Sequence, residues 1–212
     1  MRDIPMFTTE NGAASLTLSQ IPYSGKAYIR LQATLEPAAL LRECVDFCRC
    51  AGAESIYAAG HIFLEKFPVH TQILRMTCPL SALPETDAAL IPVQETTLEQ
   101  WRQLYNEKML SVDNASYMTA SDADRMLKRG DGYFVHRGES LLGIGTVKDG
   151  KIGAMAAITA GAGADVVAAL CHSIFSDLVT LEVASTNIRA IRLYERLGFI
   201  KTGVISTWYK IC

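Results

Sequence analysis

Two side chains near the end of this 212-residue chain, Asn187 and Tyr194, have the types and the spacing to do chemistry together. Seven positions are two turns of α-helix, so the amide and the phenol share one face about 10 Å apart. An amide can both donate to and accept from an extended polar ligand, and a phenol with a reference pKa near 10 can give a proton to a departing anion. Upstream lies Ile158-Thr159-Ala160-Gly161-Ala162-Gly163-Ala164-Asp165. Glycines there let backbone N–H groups approach a pyrophosphate closely, and a helix start favours the anion. Glu182 and His136 are candidates for a base that removes the proton of a substrate ammonium, whose reference pKa is about 10.4. On sequence a salt-bridged or surface role fits each of them better than catalysis.

These residues need a scaffold of strands and helices. Leu178–Val183 is short, β-branched and apolar, which predicts a strand. Ser185, Thr186 and Asn187 offer helix N-caps, Ala190, Leu193, Tyr194 and Leu197 recur at helical spacing, and Gly198 is placed to end that helix. The glycine stretch leaves a strand over Ile152–Ile158 and enters a helix carrying Val166, Val167 and Leu170. Ahead of it come a strand at Ala89–Val93, a helix behind a Thr96/Glu99 capping box with Leu98, Trp101, Tyr105 and Val112 on one face, and a polar loop over Asp113–Tyr117. A second capping box, Ser121 with Asp124, opens a short helix ending at Gly130. Strands at Tyr133–His136 and Leu141–Val147 follow, and Asp149-Gly150 is a hairpin signal.

The string Asn187-x-x-Ala190-x-x-Leu193-Tyr194-Glu195-x-Leu197-Gly198-Phe199 resembles the late motif of the GNAT superfamily of acyl-CoA N-acyltransferases. The order strand, two helices, three-strand meander, helix, strand, helix, strand is similar to that family's, over roughly residues 87–212. The resemblance implies an α/β fold with a mixed sheet, acetyl-CoA as co-substrate without a metal, and transfer of an acetyl group to an amine of a small molecule or peptide in a ternary complex. It implies that Asn187 contacts the pantetheine arm, that Tyr194 protonates the thiolate, and that Ala157, Ile158, Gly161, Ala162, Gly163, Ala164 and Asp165 border the coenzyme. The chain departs from the family at Ile158, where the loop pattern has Gln or Arg. That departure motivates an alternative, a non-catalytic GNAT-like domain binding an acyl-CoA or a protein. Gly161-x-Gly163 followed by Glu182 also partly resembles a dinucleotide-binding fingerprint, but Val166 stands at its third small position.

Residues 1–80 read as a smaller β/α domain. Strands are expected at Ser15–Leu18, Ala27–Ala33, Ser55–Ala59 and Thr71–Met76. A helix starting at Pro37 carries Leu40, Cys44, Phe47 and Cys48 and closes at Gly52, and a helical piece covers Phe63–Phe67. The stretch from Cys78-Pro79 through Pro84-Glu85, with its two prolines and small residues, is the candidate linker, set at 81–86, ahead of an acetyltransferase-like domain at 87–212. Helix 38–51 followed by strand 55–59 repeats the order of helix 164–174 and strand 178–183, with Leu64 at the place of Tyr194. The first segment is thus expected to be a degenerate, half-GNAT-like copy that serves as scaffold, leaving one coenzyme A per chain.

Composition narrows the classes. Half the residues are hydrophobic, a fifth are charged and the net charge is −2, so no electrostatic footprint for nucleic acid is present. The beginning MRDIPMFTTENG lacks a basic region followed by an apolar one, and no apolar run approaches the roughly 20 residues a spanning helix needs. A cytoplasmic protein, a possible homodimer with no membrane partner, is expected. The six cysteines match no zinc spacing and read as buried thiols.

Overall fold

The computed structural model describes residues 1–148 and 150–212, so Asp149 of the expected hairpin turn lies outside the described residues. The chain forms two compact units, one of residues 1–72 with 204–212 and one of residues 73–203.

The first unit contains strands β1 (Ile4–Thr9), β2 (Gly12–Thr17), β3 (Lys26–Thr34) and β4 (Ser55–Ala59). A helical turn α1 (Ile21–Ser24) precedes β3, and helix α2 (Pro37–Cys50) carries the chain from β3 to β4. β1, β2 and β3 form an antiparallel meander, whereas β3 and β4 run parallel, which requires a crossover such as α2. Pro37 pre-sets the first turn of α2, and Leu40, Leu41, Cys44, Val45 and Cys48 recur on one face. That face is buried with Ala27, Ile29, Leu31, Ile56 and Ala58 of the two strands. β1 was not expected from the sequence, because its alternation is weak and none of its residues is fully buried.

The next strand, β5 (Val69–Pro79), begins in the first unit and ends in the second. Beyond it the second unit contains β6 (Ala89–Pro92), α3 (Leu98–Met109), α4 (Ala120–Arg129), β7 (Gly132–Arg137), β8 (Ser140–Lys148) and β9 (Lys151–Ala157). Then come α5 (Gly163–His172), β10 (Leu178–Ala184), α6 (Ile188–Arg196) and β11 (Ile200–Lys210), whose end returns to the first unit opposite β4. Strand order in the second unit is β5-β10-β9-β8-β7-β6. Ahead of the expected linker at 81–86, residues from Ile73 to Pro79 pair with β10 along its whole length, from Ala184 to Leu178, and belong to the second unit.

Two apolar layers cover the two faces of this sheet. One joins α5 and α6 to Val179, Leu181 and Val183 of β10, and the other joins Trp101 and Tyr105 of α3 and Met126 of α4 to Ile144, Ala154 and Ala156. The helix starts differ from expectation. Gln94 and Thr97 form the capping box before α3, since the Glu99 carboxylate is held by Arg102 and Gln103 instead. Thr119 and Asp122 cap α4, two residues earlier than Ser121 and Asp124. α3 stops before Val112. Among the described residues no helix is long and apolar enough to cross a membrane.

α5 lies unusually close to β8. A Cβ on Gly143 would stand 2.5 Å from Val166 Cγ2 and 2.6 Å from the Ala156 carbonyl oxygen. Gly143→Ala is therefore expected to destabilise the protein by about 1–3 kcal/mol, since backbone cannot yield as a side-chain tip can. Gly203→Ala, where nothing lies within 4 Å of the added carbon, is the matched control for denaturant unfolding.

Candidate functional site

The second unit opens where β9 and β10 part. These parallel strands pair only at Thr180 with Lys151 and Leu181 with Ile152. Beyond that point β9 stays with β8 up to Ala157 opposite Gly143, and β10 stays with β5 up to Ala184 opposite Ile73. The β10-facing backbone edge of residues 153–157 is thereby released at the carboxyl ends of two parallel strands. Helices α5 and α6 both begin there, so their first-turn N–H groups, which have no intrahelical acceptors, border the opening.

Ala157 ends β9, and the loop behind it is fixed to β8. Ile158 N–H and Thr159 N–H both donate to Leu142 O, at 2.9 and 3.1 Å, and Thr159 Oγ1 donates to Leu141 O at 2.8 Å. Gly161 has φ +85° and no atom within 4 Å of a virtual Cβ, so it supplies an open left-handed turn that other residues enter at a cost. Ala162 is buried and caps α5. Gly163 has a different constraint, since a Cβ there would meet Leu193 Cδ2 of α6 at 2.9 Å. Ala164 packs partly against the core. The Asp165 carboxylate accepts from Arg137 Nη2 at 2.8 Å and from Thr86 Oγ1 at 3.2 Å, while Arg137 Nε donates to Asp87 at 2.6 Å. The Asp165 side chain is thus committed to Arg137 and Thr86.

Asn187 caps α6, its Oδ1 accepting from Ala190 N–H at 3.2 Å. That bond engages the amide oxygen and not the amide N–H groups. Tyr194, two turns on, is 7% exposed and its ring tilts against Phe199 at 5.9 Å. Burial first, and Cys171 of α5 second, push its hydroxyl up to about 12. The phenol is thus protonated throughout the neutral range. Cys171 is itself pushed up to about 12, by burial and then by Cys78 of β5. The six cysteines are free, and Cys44, Cys48, Cys78 and Cys171 are buried as expected, whereas Cys50 is exposed.

The two candidate bases separate. Val179, Leu181 and Val183 face the α5 layer, so Glu182 projects from the opposite face, exposed and opposite Arg75 in the β5–β10 ladder. His136 stands on β7, three strands from β10, which at about 4.8 Å per strand is about 14 Å away across the sheet. The loop between α3 and α4, which the sequence marks only by the polar stretch Asp113–Tyr117, carries more structure than that. It reaches the start of α6, where Thr186 Oγ1 donates to Asp113 Oδ2 at 2.8 Å. Its Asn114 has φ +60°, and both polar atoms of its side chain are buried without a partner among the described residues. The signal available was the Asp-Asn pair in a connection between two helices, a position that tolerates left-handed backbone.

This architecture is that of GNAT acetyltransferases. A GCN5-related N-acetyltransferase from Sphaerobacter thermophilus matches 94% of this chain over 76% of its own, with TM-score 0.57 and 13% identity. A tandem GNAT protein from the clavulanic acid biosynthesis pathway matches 94% over 79%, with TM-score 0.54 and 13% identity. A functionally unknown conserved protein from Staphylococcus epidermidis matches 96% over 91%, with TM-score 0.58 and 13% identity. No protein-family model and no curated protein sequence matches the chain. The shared property is the fold, and it extends over both units.

The raised pKa values fix the behaviour of the protein in alkali. The unfolded chain loses a cysteine proton near 9 and a tyrosine proton near 10, whereas the folded chain holds those of Cys44, Cys171 and Tyr194 to about 12. The folded state binds these protons more strongly, so their contribution is complete below pH 9 and is lost as pH rises towards 12. Denaturant midpoints are expected to fall over that window, and less steeply above pH 10 in Tyr194→Phe.

Proposed function

We propose that the chain is an acetyl-CoA-dependent N-acetyltransferase whose acceptor is an amine of a small molecule or peptide. The observation carrying this reading is the parting of β9 from β10 beside two helix N-termini and Tyr194. The residues present fit the co-substrate. The free edge of 153–157 can pair with an extended pantetheine arm as a strand would, and Asn187 amide N–H groups can donate to its carbonyls. Gly161 gives the loop a left-handed turn with open space beside it, which lets first-turn N–H groups of α5 approach a pyrophosphate.

Glu182, or water it orders, accepts the ammonium proton on the α3/α4 face. Tyr194 donates its hydroxyl hydrogen to the departing thiolate. With the phenol at about 12 and a thiol near 8.5, complete uncoupled transfer costs about 5 kcal/mol, well inside the roughly 16 kcal/mol barrier of a typical turnover. Tyr194 can therefore protonate the sulfur as the C–S bond breaks, through a hydrogen bond that strengthens as charge builds there. Ile158, apolar where the family pattern has Gln or Arg, favours a second reading, a binding domain without catalysis.

Residues 1–80 act as scaffold in this proposal. β3 and β4 stay paired from Lys26 opposite Ser55 to Arg30 opposite Ala59, the whole of β4, so no opening like that of β9 and β10 exists between them. Leu64, fully buried, stands at the sequence position that matches the phenol and offers no acid.

Tyr194→Phe is expected to lower kcat at least about tenfold with acetyl-CoA affinity nearly unchanged, followed by release of free thiol over a panel of amines. Unchanged kcat removes the general acid, and binding of acetyl-CoA without turnover of any amine selects the second reading. Calorimetric titration is expected to give one coenzyme A per chain, and Gly161→Val, which touches no packing, is expected to weaken it.

A further inference from the structure

The β5–β10 ladder carries one rung of opposite charges, Arg75 opposite Glu182, and both residues belong to the second unit. Leu74, Met76 and Cys78 of β5 are buried with Leu181 and Val183 of β10 in the α5/α6 layer, so alternation puts Arg75 beside Glu182 on the other face. Both are exposed there. The neighbouring rungs on that face are uncharged, Thr77 with Thr180 and Ile73 with Ala184. Among the described residues the apolar layer of α3 and α4 packs on β8 and β9 and includes nothing from β5 or β10, so this part of the face is open. Glu182 is also the first residue of β10 past its last pairing with β9, that of Leu181 with Ile152, so the charged rung stands where the strands part. Side chains directly opposite in a ladder start from Cβ atoms about 5 Å apart, near enough to pair. Yet among the described residues no ion pair joins the guanidinium to the carboxylate, and neither head is engaged elsewhere.

Resting on the acetyltransferase reading, we propose that Arg75 sets specificity by binding a carboxylate of the acceptor, and that the acceptor is a free α-amino acid. An α-amino acid carries its ammonium and its carboxylate on one carbon. With the ammonium at Glu182, which takes its proton, the carboxylate comes to the adjacent strand. There a guanidinium offers parallel N–H donors in the fork that matches a carboxylate. The two unjoined heads are thus bridged by one small zwitterion, each of its charges meeting the opposite one. An alkylamine, a polyamine or the amino terminus of a peptide brings no anion to that place. Lys151 of β9 is exposed on the same face, but it stands opposite Thr180, where β9 and β10 are still paired, and as a point charge it lacks the fork.

The test titrates each of the common amino acids, and the amide of each one that binds, into the wild type, Arg75→Gln and Lys151→Gln in the presence of coenzyme A. Calorimetric affinity is read first and kcat/KM with acetyl-CoA second, with thermal midpoints checking that the variants fold. At least one amino acid is expected to bind the wild type, about tenfold more tightly than its amide, which keeps the amine and the shape but not the negative charge. Arg75→Gln is expected to erase that preference by weakening the acid about tenfold and the amide less than about twofold, and Lys151→Gln to leave it in place. The proposal is overturned if no amino acid binds, if acid and amide bind alike, if Arg75→Gln weakens both equally or neither, or if Lys151→Gln erases the preference instead. An amine acetylated without any preference for the acid leaves the acetyltransferase reading standing and removes the proposal. A preference that depends on Arg75, with no amino acid acetylated, removes the acetyltransferase reading and leaves the carboxylate site.

Discussion

Two parallel strands that begin paired and then separate impose the main constraint on this molecule. β9 and β10 share two register positions, and each then follows its other neighbour. A sheet normally closes such a gap, because an unpaired edge leaves backbone groups without partners. Here the antiparallel ladders on both sides are long enough to hold the strands apart. The cost is the released edge of β9, and the consequence is a slot of extended shape bordered by two helix N-termini. β3 and β4, the corresponding pair in the first unit, remain in register throughout β4 and leave no slot.

Holding that geometry depends on close helix–strand contact. Gly143 and Gly145 remove two side chains from β8 so that Val166 and Leu170 of α5 can settle on the sheet, and Gly163 removes a third so that α5 meets Leu193 of α6. The first turn of α5 is also fixed from outside, through Asp165 and Arg137. Arg137 is exposed and its ion pairs contribute little energy, but they orient a helix start whose direction matters. The same tight layer places Tyr194 among Cys171, Phe199 and the β10 side chains, and this burial raises its hydroxyl further above the neutral range.

The sequence by itself determined the order of elements in residues 87–212 and the nature of α6. Asn187 as a cap, Leu193 and Leu197 at helical spacing, and Gly198 at φ +92° are local facts, settled within a few residues of chain. The glycine turn at 161 and the crossover from β3 through α2 to β4 were readable for the same reason. Three things depended on contacts between distant residues. Only the pairing of β10 with both β5 and β9 decided where the slot lies and put Glu182 on the face away from Tyr194. Only the packing of Leu193 gave Gly163 a steric role beside its expected one. And only the fold revealed that Asn114, an ordinary polar loop residue in sequence, has its amide buried without a partner among the described residues. Caps and periodicity act over one or two turns of chain, whereas register, face and burial are set by which strand lies alongside, which no local pattern encodes.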